Sequence, residues 1–180
     1  MVFTSIVISG LPGSGKSTLA TRLSKTYGWP IHSIGQLFRE KWKTLHPNGE
    51  IPFEAYWRST TPEENIRVNQ ELRALIAKGH IIGDSRYSVY CKDLSSLLLF
   101  VTAPIEIRAT RALHSEKYAG RSREEIKNIL EQREQDELET GQQLFEIDYR
   151  NPVHYHLVLN SGMLTVEQEV GLVKKLMQST

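Results

Sequence analysis

The chain has 180 residues, 39% hydrophobic and 24% charged, which suits one α/β domain able to bury a core of its own. Its 22 basic and 21 acidic residues leave a net charge of +1, so no nucleic-acid partner is expected, although a local anion site is compatible with this balance. No apolar run is long enough to span a bilayer and the N-terminus does not read as a signal peptide. A single cysteine, Cys91, cannot close an intrachain disulfide, so a cytoplasmic location without membrane association is expected.

Val2 to Ile8 is apolar and β-branched, as a buried parallel strand should be. It runs into Gly10-Leu11-Pro12-Gly13-Ser14-Gly15-Lys16-Ser17-Thr18, which fits the phosphate-binding pattern G-x-x-x-x-G-K-[ST]. Gly10 and Gly15 permit a tight turn that brings backbone N–H groups to phosphate oxygens, and Gly13 gives room. Ser14 and Thr18 complete the nucleotide-binding set. Lys16 is expected as a point charge for the β- and γ-phosphates, on an exposed loop. Ser17 offers a hydroxyl to Mg²⁺. Leu19 and Leu23, four apart, predict a helix whose N-terminus faces the phosphates and which Gly28 closes.

Ile31 to Ser33 reads as a short second strand, with Ser33 capping a helix that carries Leu37, Phe38, Arg39 and Trp42. A short helix is expected from Phe53 to Trp57. Thr61 at the cap and Pro62 at the first position start another, which runs through Asn65 and Asn69 to Lys78. His80 to Asp84 is a strand ending in an acid. In phosphate-loop proteins an acid there commonly holds Mg²⁺, so Asp84 joins Ser17 as a metal candidate. Arg86 follows at the carboxyl edge of the sheet, where open α/β folds bind ligands.

Leu97 to Thr102 is the most hydrophobic run and reads as a central strand. A helix bearing Arg108 and Arg111 follows. Ser122 with Glu125 forms a capping box for the next helix, which carries Arg133 and is expected to end near Gly141. Two helices joined by the turn at Arg121 can form a lid. Gln142 to Tyr149 is expected as a separate helix, Tyr155 to Asn160 as the last strand and Thr165 to Met177 as the closing helix. The order predicts a three-layer α/β/α fold around a five-stranded parallel sheet, with a nucleoside triphosphate on the phosphate loop.

Nearly the whole chain resembles the P-loop nucleoside monophosphate kinase superfamily, and most specifically the short, archaeal-type cytidylate kinases. The resemblance lies in the phosphate loop, Ser33-Ile34-Gly35-Gln36-Leu37-Phe38-Arg39-Glu40, Thr60-Thr61-Pro62-Glu63 and Asp84-Ser85-Arg86. It continues in Phe100 to Arg108, Arg133-Glu134 and Leu157-Val158-Leu159-Asn160. It implies a single kinase domain over 1–180, with an acceptor-binding helical insertion at 34–79 and a lid at 114–140. It further implies ATP and Mg²⁺ as cofactors and phosphoryl transfer to a nucleoside monophosphate, CMP or dCMP, by a monomer acting on small-molecule nucleotides. Lys16, Asp84, Arg121 and Arg133 are the implied catalytic residues; Arg39 and Arg86 hold the acceptor's phosphate. The family usually has acids where this chain has Gln36, Asn65 and Asn69, and a lid arginine where it has Thr140. The three amides therefore become the expected lining of the base pocket. A kinase of another small metabolite, or a nucleotide-binding regulator without kinase activity, is the alternative.

Overall fold

Strand β1, Ser5–Gly10, is buried at every position and lies at the centre of a five-stranded sheet. The computed structural model describes residues 2–178; residues 1, 179 and 180, the ends of the expected 1–180 domain, lie outside the described residues. The other strands are β2 (Ile31–Ser33), β3 (Ile82–Asp84), β4 (Ser96–Thr102) and β5 (Leu157–Asn160). Their order is β2-β3-β1-β4-β5 and all pairings are parallel. From β1 the chain fills one side of the sheet and then the other, so the strand order reverses at β1 and opens a crevice at its carboxyl end. The expected five-stranded parallel α/β fold is thus the observed one.

Alternation along the strands divides the core. Ile6, Ile8, Leu97 and Leu99 point to the face covered by α1 (Lys16–Tyr27) and α7 (Val166–Gln178), where Leu19, Leu23, Val170 and Val173 meet them. Val7 and Leu98 point to the opposite face, packed by Phe38 of α2 (Ile34–Leu45), Tyr56 of α3 (Phe53–Ser59), and Leu72 and Ile76 of α4 (Pro62–Lys78). A smaller cluster, Ala109, Ala112, Ile126 and Leu130, joins α5 (Ile105–Leu113) to α6 (Arg123–Phe145).

The local signals in the sequence act as expected. Ser33 and Thr61 accept hydrogen bonds from Gln36 N and Glu64 N, and Ser122 and Glu125 close a reciprocal box. Gly28 ends α1 in the left-handed region at φ 69°. Gly10 has φ 147°, and a Cβ there would stand 2.1 Å from the carbonyl oxygen of Val101, so only glycine lets β1 leave the sheet beside β4.

The region after Gly141 differs from the expected break. One helix, α6, continues 23 residues from Arg123 to Phe145. Gly141 does not end it, because the missing side chain makes room for Tyr87, whose ring carbon would lie 3.0 Å from a Cβ. Packing of Tyr87, Phe100, Leu138 and Tyr149 holds the helix together through a residue of poor intrinsic propensity. No helix among the described residues is long and apolar enough to cross a membrane.

Candidate active site

The crevice at the end of β1 holds a cavity of about 170 Å³. Gly13, Lys16 and Ser17 line it from the phosphate loop, Ser33 and Arg39 from β2 and α2, and Trp57, Asn65 and Asn69 from α3 and α4. Asp84, Ser85 and Arg86 enter from the end of β3, Arg133 and Glu137 from α6. Four cations, Lys16, Arg39, Arg86 and Arg133, thus face two carboxylates, Asp84 and Glu137.

Lys16 departs from the exposed position expected of it: the residue is 8% exposed. Its burial, with the charge of Arg86 nearby, lowers the ammonium pKa to about 7, against the opposing pull of Asp84 and Glu137. The loop turns through positive φ at Gly10, Gly13 and Gly15. Ser14 Oγ is buried without a protein partner, a free donor inside the loop. Thr18 is turned away from this cavity, into a surface depression shared with Ser17, Thr21 and Val166.

Ser17 Oγ and Ser33 Oγ both donate to Asp84 Oδ2, at 3.3 and 3.1 Å. A hydroxyl and a carboxylate side by side at the mouth of the loop are the two protein oxygens that Mg²⁺ needs when phosphates and water supply its other ligands. No cluster of three or more His, Cys, Asp or Glu that could hold a metal ion occurs among the described residues.

The arginines differ in how they are held. Arg86 is bound at Nε by Glu137 Oε2, and Arg133 at Nε by Glu137 Oε1 at 2.9 Å. Arg39 lies against Gly35 and makes no ion pair or hydrogen bond among the described residues; burial, then Arg133, lowers its pKa. Arg121 is placed elsewhere. It is exposed and lines a separate cavity of about 440 Å³ between α3 and α6, with Phe53, Lys117 and Ile129. Trp57 and Arg133 are shared by both cavities, and the ion pairs Lys117–Glu54 (2.8 Å) and Arg58–Asp136 (2.8 Å) join the walls of the larger one.

Of the three amides expected at a base, Gln36 is outside the cavity: it is exposed and donates to Glu40 Oε1 at 2.8 Å, one helical turn on. Asn69 is buried and occupied at both ends. Its Nδ2 donates to Asn65 O and its Oδ1 accepts from Ser85 Oγ. Asn65 differs. Its Nδ2 donates to Thr61 O, a pure acceptor, which fixes the amide's orientation, and to Thr60 Oγ1. Its Oδ1 is buried and has no hydrogen-bond partner among the described residues, and the residue lines both this cavity and a third one of about 280 Å³ that Thr140 also lines.

Glu137, Trp57 and Ser33 are site residues that sequence reasoning passed over or used only as a cap. Glu137 stands four residues after Arg133 on one helix, a spacing that pairs opposite charges, and that was the available signal. Nothing in the local sequence of Trp57 marks it as a cavity wall.

Comparison with known proteins agrees with this geometry. A model of the cytidylate kinase-like family matches residues 5–163. A cytidylate kinase of Methanoregula boonei is 31% identical over 157 residues, covering 87% of this chain and 84% of that protein. A cytidylate kinase of Methanopyrus kandleri is 28% identical over 185 residues, covering 94% and 90%. The fold is similar to that of shikimate kinase from Acinetobacter baumannii, solved with shikimate, at a TM-score of 0.63 and 15% identity over 98% of this chain and 94% of that one. With a phosphate loop, a hydroxyl–carboxylate pair and three arginines gathered at one sheet edge, and with nearly its whole length matched, the chain belongs to the cytidylate kinase-like family.

Proposed function

We propose that the protein transfers the γ-phosphoryl group of ATP, with Mg²⁺, to a nucleoside monophosphate, CMP or dCMP first, acting as a monomer on small-molecule nucleotides. One observation carries the reading. A single cavity is lined by a phosphate-loop lysine, by arginines whose terminal donors are unbonded, and by an asparagine whose buried amide oxygen lacks a donor among the described residues.

Each group has a chemical part in the transfer. Lys16 sets its charge beside the β- and γ-phosphates, and Ser14 with the loop's N–H groups binds them. Ser17 and Asp84 would hold Mg²⁺, which when bound would supply positive charge to offset the charge that develops on transfer. Arg39 and Arg86 grip the acceptor's phosphate, whose forked geometry suits a guanidinium. Arg133 reaches the transferring group from the lid helix. A phosphate monoester is already largely anionic at neutral pH, so attack needs no general base. Asn65 Oδ1 requires a donor from the base, and the exocyclic amine of cytosine supplies one. Membership in the family is what orders CMP ahead of other bases.

The cavity's volume favours a second reading. About 170 Å³ is below the range of roughly 300 Å³ and above that ligand pockets usually span, which suits a smaller hydroxyl acceptor. A panel of CMP, dCMP, UMP, AMP, cytidine and small hydroxy acids, scored by ADP release from ATP, separates the two. CMP or dCMP should turn over fastest, and the monophosphate should be favoured over cytidine at least tenfold, a gap that Arg39→Ala removes. Preference for a hydroxy acid or a free nucleoside establishes the second reading; no ADP release with any acceptor leaves a nucleotide-binding regulator.

A further inference from the structure

Glu137 is the most enclosed charged group in the cavity. Its side chain is 1% exposed, and those of Arg86 and Arg133 are 12% and 22% exposed. A lone carboxylate so placed is expected to be neutral, yet here the two guanidinium groups outweigh burial and hold its pKa below the ordinary range. Each oxygen takes one arginine, and each arginine is taken at Nε. The terminal nitrogens of both arginines make no hydrogen bond among the described residues, although both side chains line the cavity. Glu137 is anchored at its backbone too, because Tyr87 donates its hydroxyl hydrogen to Glu137 O at 2.9 Å. Arg86 and Tyr87 belong to the segment after β3 and Arg133 to the lid helix, so one residue joins sheet edge and lid.

A guanidinium caught at Nε cannot rotate freely about its stem; one terminal NH₂ lies on the edge that meets the carboxylate, and the end that carries both NH₂ groups is left to face another partner. We infer that Glu137 is a positioning residue for phosphoryl transfer, holding Arg86 and Arg133 by their Nε edges so that their terminal nitrogens face one phosphate position in the cavity. The inference rests on the phosphoryl-transfer reading of this cavity and adds a residue to it. It also explains why an anion site keeps a carboxylate at its wall. The charge opposes an incoming phosphate, but the same carboxylate fixes the donors that will receive it, so their ordering is complete before the phosphate arrives.

Charge and aim predict opposite signs, which makes the test sharp. Inorganic phosphate is titrated by calorimetry into the whole protein with ADP and Mg²⁺ present to fill the loop. Glu137→Gln makes the cavity more positive by one charge, so electrostatics alone would tighten phosphate binding. Loss of aim weakens it instead, by at least threefold, and this is the expected result. Glu137→Asp keeps the charge but shortens its reach, should also weaken binding, and decides the matter if the Gln variant does not fold. In turnover assays Glu137→Gln should lower kcat at least thirtyfold with KM for ATP unchanged within threefold, whereas a merely loosened lid would raise that KM. Unchanged or tighter phosphate binding by Glu137→Gln, wild-type binding by Glu137→Asp, or no phosphate binding by the wild type overturns the inference. A wild type that binds phosphate as described yet does not phosphorylate CMP defeats the acceptor reading alone.

Discussion

Two sets of arginines lie within reach of the phosphate loop, and the contrast between them separates framework from site. On α5, Arg108 is engaged at each of its three guanidinium nitrogens: Nε donates to Ala103 O at 2.9 Å, Nη1 to Pro12 O at 3.1 Å and Nη2 to Glu134 Oε2 at 3.1 Å. Arg111 donates from both terminal nitrogens to Ser161, whose hydroxyl in turn donates to Ser14 O. These two brace the loop from behind. On the cavity side, Arg86 and Arg133 are bonded only at Nε and Arg39 not at all, so their donors are open to an anion. Positive charge alone does not make a phosphate site. A guanidinium whose terminal nitrogens are engaged within the protein is a strut, whereas one held only at Nε keeps those nitrogens for a ligand.

The contrast can be broken first at Arg108. Arg108→Met leaves the buried Pro12 O and Ala103 O without their donor, at about 1–3 kcal/mol each, and removes a part-buried ion pair with Glu134, which keeps Arg150 at 3.6 Å. Urea unfolding should show that loss. A variant with unchanged stability would mean that Arg108 does not brace the loop.

Arg133→Ala should behave the other way. Losing a donor aimed at developing charge costs kcat about a hundred- to a thousandfold, roughly 3–4 kcal/mol, with little change in ATP affinity. Steady-state kinetics with direct nucleotide titration reads the split. Weaker ATP binding with kcat intact would move Arg133 to the framework set.

The smallest effect concerns the lysine that both sets surround. With its pKa near 7, Lys16 carries about half a proton at neutral pH in the free protein. Nucleotide phosphates raise that pKa, so the complex holds more protons than the free protein does. ATP binding should therefore take up about half a proton at pH 7 and weaken as pH rises from 7 through the pKa of the complex. Calorimetry in buffers of different ionisation enthalpy measures the uptake. Proton release, or uptake equal in Lys16→Met, would assign the titration to another group.

Much of the fold was legible because its signals are short in range. The phosphate loop, the caps at Ser33, Thr61 and Ser122, and the alternation in β1 and β4 depend on neighbours a few residues away. Gly141 misled for the same reason: as a local signal it stops a helix, and only Tyr87, far away in sequence, shows why the helix needs it. Among the site residues, Lys16, Ser17, Asp84, Arg39, Arg86, Arg133, Asn65 and Asn69 come to one cavity, while Gln36 and Arg121 do not. Gln36 stands on an exposed face of α2 and Arg121 in the turn before α6, placements that a motif read along one dimension does not carry.

By itself, the sequence determined the phosphate loop, the parallel sheet around it and the kind of chemistry its residue types can perform. Those properties follow from backbone preference and from hydrophobic periods, which act locally and survive in any packing of the elements. Tertiary structure alone decided which donors and acceptors remained free. The bond from Arg86 to Glu137 spans 51 positions and that from Arg108 to Pro12 spans 96. Hydrogen bonding saturates: a donor engaged inside the fold is lost to a ligand, and whether it is engaged depends on partners that only folding brings near.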